Sequence, residues 1–369
     1  MLIRKNNGSP TGGMQIKLAT VILATGTLAV AKQAQMQPCV NDAPSGGYHA
    51  VDNWAQTPRP FAAVSSVYVD DKDNVWVFDR CGDKGCAGSD EAPIWELAPD
   101  GKVLKNFGAG LFVFPHGITV DKDGNVWAVD GNSKDGKGMQ VTKLSPDGKV
   151  LMKLGKAGES GTGLDVFDKP TAVAVAPNGD IFIAEGHRTG AQGQPQNFGN
   201  SRIMKFDKNG KFIKTFGHLG SGDGELMGPH ALAFDSKGRL FVADRANSRI
   251  EIFTQDGKFL TAWTQFSRPS GMFIKNDILY VSDDQSEDSN TSVEWWPAHP
   301  GCKRGVRVGS AKTGKVEYYF PNPQVPPSVA QATRLFDGSA DVEGLAADSH
   351  GTIYLATVRI KTLFKYVKK

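Results

Sequence analysis

Several of the features that would settle the class of this chain at once are scarce in it. Its 369 residues carry a net charge of only +3 and the basic side chains are scattered, so nucleic acid is not an expected partner. Long apolar stretches of helical period are absent while glycine is abundant, at 43 residues, and the balance leans to β-structure with many turns. One long apolar run exists, LATVILATGTLAVA from Leu18 to Ala31, and it is too short to span a bilayer comfortably. Arg4, Lys5 and Lys17 precede it, and small and polar residues follow. Residues 1–35 therefore read as a secretory signal, with Met14 as an alternative start and a retained lipophilic anchor as the rival reading. The expected location is secreted or periplasmic, with no stable membrane insertion once the signal is removed. No large apolar patch is evident, so a monomer is expected.

Cysteine is also sparse, with four in the chain. Cys81 and Cys86 bracket the loop CGDKGC, close enough for a small disulfide. A soft-metal pair is the alternative, although no second pair of that spacing completes a tetrahedral site. Cys39 and Cys302 either pair or remain free.

What the chain does have is a repeat. Six segments share a polar or small lead residue, an alternating strand, an Asp/Asn/Gly turn and a second strand. They begin at Ser65, His116, Thr171, His230, Ser270 and Glu343; HGITVDKDGNVWAVD is typical. Most are followed by a second hairpin, such as VTKLSPDGKVLMKL or IMKFDKNGKFIKTF. Two hairpins per unit make a four-stranded sheet, and six such sheets make an all-β, six-bladed propeller over residues 61–369. Residues 36–60 form an N-terminal segment before it. The sixth unit is short of a strand, which residues upstream of Ser65 are expected to supply. Insertions at His187–Gly199 in blade three and from Gln285 to about Val306 in blade five fall between second and third strands. The latter carries Trp295 and Trp296, which either pack the loop or wall a substrate.

Three lead residues are of metal-ligating type. His116, His230 and Glu343 lie 114 and then 113 residues apart, in units two, four and six, and a closed ring places these at three-fold positions around one axis. Lead positions face the channel of a propeller, and two imidazoles with a carboxylate suit zinc or another divalent transition metal. The carboxylates ending the second strands (Asp79, Asp130, Glu185, Asp244 and Asp283) recur too regularly for a site and are expected to hold the turn that follows. The twice-used NSRI is likewise a repeat signature. Arg80 and Arg245 follow Asp79 and Asp244 directly, at the mouth of the channel. They form surface salt bridges or receive a substrate carboxylate.

The units FPHGITVDKDGNVWAVD and GPHALAFDSKGRLFVADRANSRIEIF resemble NHL repeats. More narrowly, the stretch from about Ser65 to Phe253 resembles the lyase catalytic core of peptidylglycine amidation, peptidyl-α-hydroxyglycine α-amidating lyase. The order VWVFDR, a hairpin, LFVFPHGITVDKDGNVWAVD, NSRI and then GPHALAF with FVADRANSRI is that family's order. The resemblance implies a six-bladed propeller that cleaves a hydroxyglycine-extended peptide into peptide amide and glyoxylate, with zinc held by three histidines. Two of these fall on His116 and His230, and the third on Glu343, which keeps a ligand but changes the charge. The family's catalytic arginine falls on Arg80 and a second active-site arginine on Arg245. Its catalytic tyrosine falls on His187 or Phe198, depending on how the insertion is placed; His187 can act as a base near neutral pH, Phe198 cannot. Its calcium site uses carbonyls matching Val67 and Ile118 and an Asp where this chain has Gly344, which argues against calcium (Ca2+).

A small-molecule or peptide substrate in the central channel is thus expected. The chain contains no monooxygenase that would make a hydroxyglycine, so a separate protein would have to supply it. Two other functions compete. A lactonase-like metal-dependent hydrolase needs more acidic and Asn channel ligands than Ser65, Thr171 and Ser270 provide. An NHL interaction module would bind protein or glycan on one face, and fold alone does not decide between them.

Overall fold

The computed structural model describes residues 37–187, 197–286, 301–333, 335 and 338–369. The signal read over residues 1–35 and the pair Trp295 and Trp296 lie outside the described residues. Among those described, the strands form six four-stranded antiparallel sheets, each a blade. Blade one is Val64–Val69, Val75–Asp79, Ile94–Leu97 and Val103–Phe107. Blade two runs from Pro115–Val120 to Val150–Leu154, blade three from Pro170–Val175 to Phe212–Phe216, and blade four from Pro229–Phe234 to Phe259–Trp263. Blade five extends from Pro269–Lys275 to Val316–Pro321.

Blade six closes the ring. Its first three strands are Val342–Ala347, Ile353–Thr357 and Leu363–Lys368, and its outermost is Tyr48–Val51, paired antiparallel from Tyr48 opposite Lys368 to Val51 opposite Lys365. Residues 36–60, read as a segment preceding the propeller, thus contribute a strand to it. Each first strand touches the first strand of the next blade, and that of blade six touches that of blade one. Closure protects the inner edges from pairing with another chain. Cys39 and Cys302 are joined in a disulfide, which ties the segment ahead of Tyr48–Val51 to the region leading into the third strand of blade five. Cys81 and Cys86 form the second.

Local chemistry explains the hairpins. Asp121 Oδ1 accepts the N–H groups of Asp123 and Asn125, at 3.0 and 2.9 Å, while its Oδ2 accepts the indole N–H of Trp127. One carboxylate therefore shapes the turn and anchors the ring that packs into the layer between blades two and three. Asp70 makes the same set with Lys72, Asn74 and Trp76. Trp95 and Trp127 are almost fully buried, and such layers between blades form the core.

The recurrent carboxylates hold more than the following turn. Asp79 accepts from the N–H groups of Ala62 and Ala63, Asp130 from Val113 and Phe114, Glu185 from Asp168 and Asp244 from Met227. In each case the clasped backbone is the segment leading into the first strand of the same blade; Asp130 and Asp283 also clasp the turn after them, through Asn132 and through Gln285 and Ser286. The antiparallel register explains this, because Asp79 stands opposite Val64 and Asp130 opposite Pro115. The NSRI segments complete the clasp: Asn200 and Arg202 bond Glu185, and Asn247 and Arg249 bond Asp244.

Candidate metal centre and its arginines

All six lead residues line one central channel with a cavity of about 200 Å³: Ser65, His116, Thr171, His230, Ser270 and Glu343. The residue after each is small, and the structure shows why. A Cβ on Gly117 would stand 2.5 Å from the Thr171 carbonyl oxygen, and one on Gly271 2.8 Å from the Leu345 nitrogen. The first strands approach too closely at this level for side chains to point anywhere but along the axis or away.

Each imidazole is oriented by the next blade. His116 Nδ1 lies 2.8 Å from the carbonyl oxygen of Thr171, and His230 Nδ1 2.8 Å from that of Ser270. A carbonyl only accepts, so both rings carry their proton on Nδ1 and present a bare Nε2 lone pair to the channel. Both Nε2 atoms are buried and make no hydrogen bond. Glu343 Oε1 lies 3.3 Å from His230 Nε2, which faces one acceptor to another. Such a meeting of lone pairs is what a cation relieves. The other lead residues are satisfied by their neighbours: Ser65 by Phe78, Thr171 by Ala184 and Pro229, and Ser270 by Asp284.

His187 joins this group. Ligand atoms of His116, His187, His230 and Glu343 all lie within 4.8 Å of one another. Four donors bound tetrahedrally to one ion at about 2.0–2.1 Å stand roughly 3.3–3.4 Å apart, so closure of the widest pair by about 1.4 Å would bring the set to coordination distance. The set fits a divalent transition metal: nitrogen-rich, buried and already in its ligating protonation states. Burial pushes His116 and His187 well below the ordinary histidine value, with the neighbouring imidazoles and arginines adding to it, so both are neutral. Burial and then Arg245 lower His230 as well. Burial alone would raise Glu343, but the guanidiniums of Arg245 and Arg80 oppose it, and the carboxyl is held well below the usual carboxylate range.

The two arginines flank the carboxylate. Arg80 Nη2 stands 4.0 Å from Glu343 Oε1 and Arg245 Nη1 3.9 Å from Oε2. Arg80 is held by Pro115, whose carbonyl accepts its Nε–H at 3.0 Å, and by the ring of Phe114, 4.3 Å from the guanidinium carbon. Both side chains are buried, so neither is a surface salt bridge. Long pairings to one shared carboxylate leave much of both guanidiniums' capacity for a second anion.

The structure therefore brings all six sequence-derived site residues together: Arg80, His116, His187, Arg245, His230 and Glu343. Between the two candidates for the tyrosine position, His187 stands beside His116, His230 and Glu343, while Phe198 is buried against Gly228. Two neighbours were not foreseen. Asp284, buried and bonded to Ser270 Oγ, is pushed upward by burial and by Glu343; Arg268 is buried beside Arg245, its Nε 3.4 Å from that residue's carbonyl oxygen. A periodic signal existed for Asp284. It follows Asp283 as Arg80 follows Asp79 and Arg245 follows Asp244.

The chain is similar to known proteins. A family model for the NHL repeat matches residues 226–253. The rat (Rattus norvegicus) peptidylglycine alpha-amidating monooxygenase is 33% identical over 242 residues, 58% of this chain but 23% of that protein. Peptidyl-alpha-hydroxyglycine alpha-amidating lyase 1 of Drosophila melanogaster is 32% identical over 235 residues, 56% of this chain and 40% of that one. The chain thus spans well under two thirds of the length of these amidating relatives. Human (Homo sapiens) NHL repeat-containing protein 3 is 31% identical over 249 residues, covering 65% of this chain and 67% of the human protein. With six four-stranded blades, one of them matched as an NHL repeat, and similarity across two thirds of that relative, this chain belongs to the NHL-repeat β-propeller family.

Proposed function

We propose that the protein is a metal-dependent lyase that splits an N-acyl carbinolamine of the α-hydroxyglycine type into an amide and glyoxylate. The observation that carries this reading is the pair of orphaned Nε2 lone pairs converging with Glu343 beside two buried arginines. Similarity to proteins named as amidating lyases supports it. His116, His230 and Glu343 would hold the metal. When bound, the cation would supply Lewis acidity at the substrate's hydroxyl oxygen.

The remaining steps belong to the chain's own side chains. Arg80 and Arg245 bind the substrate carboxylate and orient the carbon–nitrogen bond in the channel. His187 takes the hydroxyl proton as the carbon–oxygen double bond forms and the carbon–nitrogen bond breaks. It then returns that proton to the departing amide nitrogen. Charge and atoms balance with no oxidant. Two disulfides fit an oxidising compartment, which supports a secreted or periplasmic location.

The test is conversion of an α-hydroxyglycine peptide to amide and glyoxylate by the purified chain. Activity should fall at least about 100-fold in His116→Ala and Glu343→Ala. A metal-loaded chain that leaves this substrate untouched would point to another metal-assisted cleavage. A chain that takes up no metal would favour an interaction module.

A further inference from the structure

We infer that His187 is a fourth ligand in the resting site, completing a three-histidine, one-glutamate centre that substrate enters by displacing an imidazole. This rests on the reading that the cluster holds a metal. A residue serving only as a base has to reach the substrate; it has no reason to crowd the other imidazoles. His187 does crowd them. Its ring centroid lies 5.0 Å from that of His116 and 5.6 Å from that of His230, while those two rings are 4.8 Å apart. Its ligand atom falls within the same 4.8 Å limit as the other three.

The backbone is built for this placement. The second strand of blade three ends at Glu185, and Gly186 follows with φ +121°, a conformation that L side chains rarely adopt. A Cβ there would stand 2.6 Å from the Phe198 carbonyl oxygen and 2.7 Å from Ser201 Oγ. The N–H groups of Gly186 and His187 both point to the carbonyl oxygen of Lys169, at 3.1 and 3.2 Å. This turn directs the His187 ring inward, toward the lead residues of blades two and four. Arg245 Nη2 rests 3.4 Å from His187 Nε2 and keeps the ring beside the lead residues. The ligand role and the base role are thus successive states of one side chain. Three imidazoles and one carboxylate also narrow the metal to a late transition ion and disfavour calcium or magnesium.

Cobalt(II) titration of metal-free full chain, followed by visible absorption, separates the possibilities. Wild type should bind one equivalent with the intense bands of a four-coordinate site. His187→Ala and His187→Gln should still bind one equivalent, at least about 10-fold more weakly, with altered bands that added imidazole restores in the alanine variant. Affinity and spectrum unchanged in both variants would overturn the inference while leaving the three-ligand site standing. If wild type itself binds no cobalt while keeping its melting transition, the metal reading fails, and the fourth ligand with it.

Discussion

Asp130 reaches across blade two to the N–H of Phe114, at 2.6 Å, and so fixes the backbone that delivers His116 two residues later. A second bond, at 2.7 Å to Val113, makes the clasp bidentate. Burial pushes the Asp130 carboxyl up to about 6 from its ordinary value near 3.8. The folded state therefore holds this proton more tightly than the unfolded chain. The resulting stabilisation is complete below pH about 4 and is lost as pH rises through about 6. Thermal melting of wild type and Asp130→Asn between pH 4 and pH 7 should show wild type losing its lead as pH rises; a constant gap would contradict this.

Arg80→Lys should weaken binding of a carboxylate-bearing substrate analogue by about 10-fold or more, because a point charge cannot replace a planar fork held over Phe114. Metal content should not change. Calorimetric titration of the analogue, with metal analysis of the same sample, checks both halves. Equal affinity in variant and wild type would remove Arg80 from anion recognition.

Gly186→Ala should cost about 1–3 kcal/mol through its left-handed backbone and its collision with Phe198 and Ser201. The larger effect is predicted on the site, since the same turn aims His187. Denaturant unfolding gives the first quantity and the cobalt spectrum the second. A variant as stable as wild type, with unchanged bands, would show that this turn does not position the ring.

The two disulfides should contribute unequally. Cys39 and Cys302 are 263 positions apart and Cys81 and Cys86 only 5, so the first constrains the unfolded chain far more. Cys39→Ser with Cys302→Ser should lower stability by about 3–5 kcal/mol. Cys81→Ser with Cys86→Ser should lower it less but disturb Arg80, which precedes Cys81. Comparison of the two double variants by denaturant unfolding decides the order.

The ring was legible because the chain repeats itself. DKDG, NG and KG turns between alternating strands specify hairpins locally, and six copies specify closure. His116, His230 and Glu343 were legible for the same reason, since sharing one position in alternate units is a statement about symmetry. His187 was visible only as one of two candidates, because an insertion breaks the repeat just there. The clasp of the carboxylates on the preceding segment was not legible for a different reason. Asp130 and Val113 are 17 residues apart in sequence, and only the antiparallel register makes them neighbours. Arg268 sits outside the repeated pattern, and its approach to Arg245 depends on packing between blades four and five.

The central claim is that His116, His230 and Glu343 share one ion. Elemental analysis of the purified full chain, beside His116→Ala and His230→Ala and with melting temperatures recorded for all three, tests it most directly. The account predicts one equivalent of a transition metal in wild type and a loss of most of it in each folded variant. Metal-free wild type that gains none on incubation with zinc or cobalt would contradict it, as would variants that retain the full equivalent.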